Sequence, residues 1–281
     1  METAKRLSQP QVDLLQETLS QTLYGRVFSS HLELVPQLNE VYELELAFYE
    51  SQILTDEEII RNGAYFAKVG DHFTRHFLMC RGEPVKLADH SSSRLKSFFQ
   101  TNQFKTGYAT HGLFPYRGKF HPQMIKALLN VMGLKPGDTV LDPMMGSGTV
   151  LIEATLMGIH SVGIDASPFC RFMTQAKLDA LTVPLGPAKA ALRDAESVFE
   201  HFSSLVKRSK ERNAVEGDLF SSRMIDKKNG KNQKSLPKGA DAANVHNFLT
   251  LAFLDSAGYS ERSDRKSPFE QFRAILERYI F

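Results

Sequence analysis

Between Val140 and Asp165 the chain has room for one arrangement: strand, glycine loop, helix, strand, acid. Thr139 to Leu141 reads as a short buried strand, and Asp142 stands at its tip. Pro143-Met144-Met145-Gly146-Ser147-Gly148-Thr149 then turns the chain, with Gly146 and Gly148 permitting a tight backbone and close approach of a ligand to it. A helix is expected from about Gly148 to Met157, with Val150, Leu151, Ala154 and Leu156 apolar and Gly158 as its stop. Ser161 to Ile164 reads as the second strand, and Gly163-Ile164-Asp165 puts another acid at its tip. Pro168 opens a further helix reaching about Leu181. Strand, helix and strand within about 25 residues form the parallel crossover unit of an open α/β sheet.

The flanks read differently, and three regions are expected: 1–106, 107–185 and 186–281. Residues 1–106 look helical. Leu14, Leu15, Leu19, Leu23 and Val27 recur at helical spacing. Thr55-Asp56-Glu57-Glu58 has the form of a capping box, and Ile59, Ile60, Tyr65, Phe66, Val69 and Phe73 would give that helix its apolar stripe. No strand alternation stands out there. From Gly107 to Phe120 the chain is rich in glycine and aromatics, as an ordered loop would be. Pro122 suits the first turn of a helix whose buried face would be Met124, Ile125, Leu128, Leu129 and Met132, ended by Gly133 and Lys135-Pro136-Gly137-Asp138. Residues 186–281 return to helical patterns and polar linkers, with ten Lys/Arg against four Asp/Glu between Lys207 and Lys238. Lys227 to Lys234 is too polar to bury. That basic run would meet phosphates or form a solvated loop. Ser267-Pro268-Phe269-Glu270 reads as a helix start, with Phe272, Ile275, Leu276 and Ile280 on the apolar face.

The loop's neighbours narrow its ligand. A phosphate-binding loop needs Lys-Ser/Thr after the last glycine, and here Thr149 follows Gly148 directly. A dinucleotide loop needs a third glycine where Leu151 stands, and a carboxylate such as Asp142 beside a pyrophosphate is unfavourable. A cationic group tolerates that carboxylate, and Asp165 would accept both hydroxyls of a ribose. A plain α/β turn with packing glycines is the alternative. His72, His76 and Cys80 fall at i, i+4 and i+8 and would form one row on a helix; with no fourth ligand in view, no metal is expected.

Asp142-Pro143-Met144-Met145-Gly146-Ser147-Gly148-Thr149 resembles the Asp-Pro-Phe-x-Gly-Ser-Gly-Thr motif of methyltransferases that act on exocyclic amino groups of nucleobases. These include N6-adenine and N4-cytosine DNA methyltransferases and tRNA guanine-N2 methyltransferases. His111-Gly112-Leu113-Phe114-Pro115-Tyr116-Arg117-Gly118-Lys119-Phe120-His121-Pro122 looks like the segment that precedes the motif in part of that family, and Gly163-Ile164-Asp165-Ala166-Ser167-Pro168 is similar to its second-strand acid. Met144 departs from the usual Phe. The resemblance covers residues 107–181 and implies an α/β fold. That fold is a partial Rossmann-like class I methyltransferase sheet with helical N-terminal and C-terminal regions. It also implies S-adenosylmethionine as cofactor, held by Lys119, Phe120, Asp142, Pro143, Met144, Gly146, Ser147, Gly148, Thr149 and Asp165. For Lys119 and Phe120, simple loop packing is the alternative.

The family's catalytic tetrapeptide pairs Pro-Pro with a preceding polar residue and a following aromatic. No Pro-Pro occurs in this sequence. An exocyclic amine is a poor nucleophile until its hydrogens are accepted and its base is stacked, so no catalytic residue is named. Ser167-Pro168-Phe169 and Ser267-Pro268-Phe269 are read as helix starts. The chain is therefore expected to be the first part of a longer enzyme, half of a split enzyme whose second chain carries the motif, or a non-catalytic cofactor-binding subunit. Nucleic acid is the expected partner, DNA first and tRNA second. The cytoplasm is the expected location. Two cysteines make no disulfide framework, no apolar run nears the roughly 20 residues of a membrane span, and the polar start lacks the core of a signal peptide.

Overall fold

The structure, a computed structural model, describes residues 25–36, 38, 40–81, 107–211, 242–260 and 267–280. Leu14, Leu15, Leu19, Leu23 and Lys227–Lys234 lie outside the described residues. The described residues are a mixture of helices and two small sheets, and the chain divides into two compact units: residues 1–79 with 126–133, and residues 80–125 with 134–281.

In the first unit, β1 (Leu32–Leu34), β2 (Phe66–Val69) and β3 (His72–Phe73) form an antiparallel sheet in the order β1-β2-β3. It is accompanied by α1 (Val41–Ile53), α2 (Asp56–Asn62) and α3 (Arg75–Arg81). Thr55 caps α2 through a reciprocal box with Glu58, as its spacing predicts. The helix expected to run on to Phe73 does not. It stops at Gly63, and the next apolar residues pass into β2. The spacing of Ile59, Phe66 and Phe73 matched a helical stripe by coincidence. The decisive signal is Gly70-Asp71, a two-residue turn that places Val69 opposite His72. It also breaks the expected row of His72, His76 and Cys80, since His72 lies on β3 while the other two lie on α3.

The buried centre of this unit, which includes Ile59, Tyr65 and Phe66, also holds a polar cluster. Glu50 of α1 is fully buried. The Ala64 N–H donates to both of its oxygens, at 3.0 and 3.2 Å, and Asn130 Nδ2 donates at 2.6 Å. Asn130 lies on α4 (Pro122–Val131), which starts at its proline as expected. Its buried residues are Pro122, Ile125, Lys126, Ala127, Leu129 and Asn130, whereas Leu128 and the following Met132 are exposed. The helix is therefore rotated from the apolar face read off the sequence, because Glu50 recruits Asn130 and lies beside Lys126.

In the second unit, β4 (Thr139–Asp142) and β5 (His160–Gly163) pair in parallel, Asp142 opposite Gly163, with α5 (Thr149–Met157) crossing between them. These bounds fall within two residues of those read from the sequence. The strands are not fully buried, however. Thr139 and Leu141 are exposed, as are Val162 and Ile164, so one face of the ladder is open and only the other is covered. Next come α6 (Pro168–Ala180), α7 (Leu185–Arg193), α8 (Ala195–Glu211), α9 (Ala243–Ser260) and α10 (Pro268–Ile280). Ser167 caps α6, and Ser267 with Glu270 makes a capping box on α10, so both Ser-Pro-Phe sequences are helix starts. The core joins Met173 and Ala176 of α6 to Leu249, Phe253, Phe272 and Leu276 of the later helices. Those helices thus form a packed layer against α6. Among the described residues no helix is long and apolar enough to cross a membrane.

Candidate active site

The ladder between the two strands continues to their tips. The Ile164 N–H donates to the Asp142 carbonyl at 2.9 Å, and the Met145 N–H donates to the Ile164 carbonyl at 3.0 Å. Both acids therefore stand at the C-terminal edge of the sheet with the glycine loop between them, the place where open α/β sheets bind ligands. Asp142 Oδ1 accepts the Met144 N–H at 3.1 Å, closing a short side-chain turn. Asp165 is half-buried, and its Oδ2 accepts the Gly146 N–H at 2.9 Å while Oδ1 accepts the Ser167 N–H at 2.8 Å. A carboxylate has about four acceptor positions, so each acid keeps capacity for a ligand's hydroxyl or ammonium.

Gly148 is the N-cap of α5 with φ +76°, and a Cβ there would lie 2.5 Å from Thr174 Cγ2. A Cβ on Gly163 would run into Met145 Sδ and Leu151. Two glycines thus let the loop lie flat against α6 and β5. From behind, α6 grips the loop's carbonyls: Thr174 Oγ1 donates to Gly146 O at 3.3 Å and Lys177 Nζ donates to Ser147 O at 3.4 Å.

The residues named from the sequence divide into groups. Asp142, Gly146, Gly148 and Asp165 meet at one edge. Ser147 and Thr149 join them through the backbone, since both side chains are buried with their hydroxyls 3.4 Å apart. Pro143 and Met144 are exposed, Met144 at 83%. Lys119 is half-buried and donates to the His111 carbonyl at 3.0 Å, while the Phe120 ring is largely open to solvent.

Four further residues belong to the site; Tyr116 lies in the segment already singled out before the loop, whereas Thr174 and Lys177 carry no mark in the sequence pattern. Tyr116 stands over the loop, its ring 3.5 Å from where a Cβ on Gly146 would be. Its hydroxyl is pushed up by the neighbouring Cys170 thiol and the charge of Asp165. Thr174 and Lys177 hold the loop as described. Lys177 is 1% exposed, and burial, with Lys119 nearby, pushes its ammonium down to about 7. Burial also lowers Lys119. Glu153, fully buried on α5, accepts the Tyr108 hydroxyl at 2.6 Å and pairs with His111 Nε2 at 2.7 Å. Burial lowers His111 and outweighs the raising effect of Glu153. One sequence signal for Glu153 does exist, a lone acid inside the apolar run Val150–Met157.

Residues 113–230 match the family model described as UPF0020, RMKL-like, methyltransferase domain. The chain is 47% identical over 68 residues to the type II methyltransferase M.MjaII of Methanocaldococcus jannaschii, a stretch covering 24% of this chain and 13% of that protein. It is 35% identical over 75 residues to the type II methyltransferase M.BsoBI of Geobacillus stearothermophilus, 27% of this chain and 15% of the relative. It is 46% identical over 52 residues to a tRNA (guanine(10)-N2)-dimethyltransferase of Methanothermobacter thermautotrophicus, 18% of this chain and 16% of the relative. The family match at residues 113–230 takes in the glycine loop and Asp165, and the matched part spans less than a sixth of each of these three relatives. No solved structure matches the chain.

Proposed function

We propose that this chain holds S-adenosylmethionine at the edge of the parallel ladder and supplies the cofactor-binding part of a methyltransferase acting on an exocyclic amino group of a nucleobase. DNA is the first substrate and tRNA the second. The observation that carries this reading is the pair of carboxylates at adjacent parallel strand tips, with the glycine loop between them. In the same reading β4, α5 and β5 begin a Rossmann-like class I sheet, and the chain works in the cytoplasm.

The donor set suits this cofactor. Asp165 has acceptor capacity left for the ribose hydroxyls, and Asp142 for the positively charged methionine end, where a pyrophosphate would be repelled. When bound, the cofactor supplies a methyl group to a nucleophile. The chain's own residues place it: Asp165 orients the ribose while its bond to the Gly146 N–H keeps the loop closed. Thr174 and Lys177 hold the loop's carbonyls away from the ligand. Tyr116 packs beside Gly146 of the loop and meets Cys170 of α6. None of these groups accepts the hydrogens of an exocyclic amine. That task falls to a Pro-Pro-aromatic segment supplied by further sequence or by a second chain.

Titration calorimetry with S-adenosylmethionine, S-adenosylhomocysteine, ATP and NADH tests the site. Binding of the first two alone is expected, weakened at least about tenfold by Asp165→Ala through lost charge-assisted hydrogen bonds. Absence of binding, or indifference to Asp165→Ala, defeats the proposal. Labelled methyl transfer to mixed DNA and tRNA separates the catalytic readings. Transfer by this chain only when a Pro-Pro-aromatic chain is added identifies a split enzyme. Binding without transfer under any such addition favours the non-catalytic subunit, which the lack of Pro-Pro in the sequence supports.

A further inference from the structure

The segment from Gly107 to His121 contains two non-glycine residues in the left-handed region, Ala109 at φ +50° and Phe114 at φ +58°. Such conformations persist only where the surroundings over-determine them. Phe114 is fixed by its N–H donating to the Tyr279 hydroxyl at 2.7 Å and by its ring meeting Phe169 edge-on at 5.0 Å. Ala109 lies between Tyr108 and His111, and both of those side chains converge on one oxygen of Glu153. The chain of contacts continues outward, since Lys119 Nζ donates to the His111 carbonyl. Glu153 sits one helical turn after Thr149, on the helix that the glycine loop opens.

A carboxylate taken wholly out of water is unfavourable unless donors surround it. Here two donors come from the segment that brings Tyr116 against the glycine loop. We infer that Glu153 is a positioning residue: it clasps Tyr108 and His111, and so fixes the strained segment against α5 with Tyr116 and Lys119 at the rim of the cofactor pocket. The pocket's occupant rests on the function proposed above; the clasp itself does not.

The test uses the full chain with Glu153→Gln, Glu153→Leu and Tyr108→Phe, and reads two quantities. One is native tryptic cleavage after the exposed Arg117 relative to the other sites. The other is S-adenosylmethionine affinity by calorimetry. Glu153→Gln retains an oxygen that accepts both bonds and stays within about threefold of the wild type in each readout. Glu153→Leu loses both, so cleavage at Arg117 rises and affinity falls by about tenfold each, the equivalent of one charge-assisted hydrogen bond. Tyr108→Phe, which keeps the ring, moves both by about threefold and carries the test if the leucine variant does not fold. Faster cleavage spread evenly over all sites would mark a general loss of stability and overturn the inference. So would unchanged cleavage at Arg117 in either Glu153→Leu or Tyr108→Phe. If the wild type binds no S-adenosylmethionine, the proposed function fails and the protease readout still decides the role of Glu153.

Discussion

Gly148 meets two demands at once: a left-handed backbone at φ +76° and no side chain where Thr174 approaches. Gly148→Ala is expected to cost roughly 1–3 kcal/mol in backbone strain and about as much again in the clash. Adding Thr174→Ala should recover the second part, which a double-mutant cycle in urea measures. Lys177 makes a prediction of opposite character. Its folded-state value is about 7 against an ordinary 10.5, so the folded chain sheds this proton before the unfolded chain does. Stability therefore rises with pH through that window, and the burden of the buried charge is full below it. Lys177→Met should stabilise the protein most near pH about 6, with the advantage shrinking by pH about 9. Equal gains at both would show that the ammonium is not desolvated.

At the scale of elements, the glycine loop, its flanking strands and the caps at Thr55, Ser167 and Ser267 were legible because each is written in a few adjacent residues. What stayed illegible depends on partners distant in sequence. The inward turn of Asn130 follows from Glu50, eighty residues earlier, and the tasks of Glu153 and Lys177 follow from residues about thirty to forty-five positions away. The β2–β3 hairpin is hidden behind an apolar set that satisfies the helical period by chance, and the local sign of it is the Gly70-Asp71 turn between its strands. Glu50 supplies the element-scale prediction. Burial raises it to about 7 from 4.5 in spite of its hydrogen bonds, so the folded state holds a proton that the unfolded state has lost. Stability falls as pH climbs through that interval. Glu50→Gln should remove the slope, its advantage growing to the order of 3 kcal/mol by neutral pH and staying level above. Thermal melts across the interval check this, and a variant with the wild-type slope would refute it.

Within the second unit, most of the apolar core belongs to the helical layer, not to the ladder. Phe272 is fully buried among Phe199, Phe253 and Leu276. Phe272→Ala is expected to cost about 3–5 kcal/mol. Amide exchange would show whether the loss is confined to the second unit: Gly146 and Ile164 should lose protection while Val69 in β2 keeps its own. Loss at Val69 to the same extent would mean that the two units unfold as one. The open side of the ladder has a different consequence. Leu141, Val162 and Ile164 remain more than half exposed, side by side on a short parallel ladder. Water wets that patch at a standing free-energy cost, and excluded solutes such as sulfate raise the cost. The first property to fail in concentrated or salted solution should therefore be solubility, with every hydrogen bond of the fold still intact.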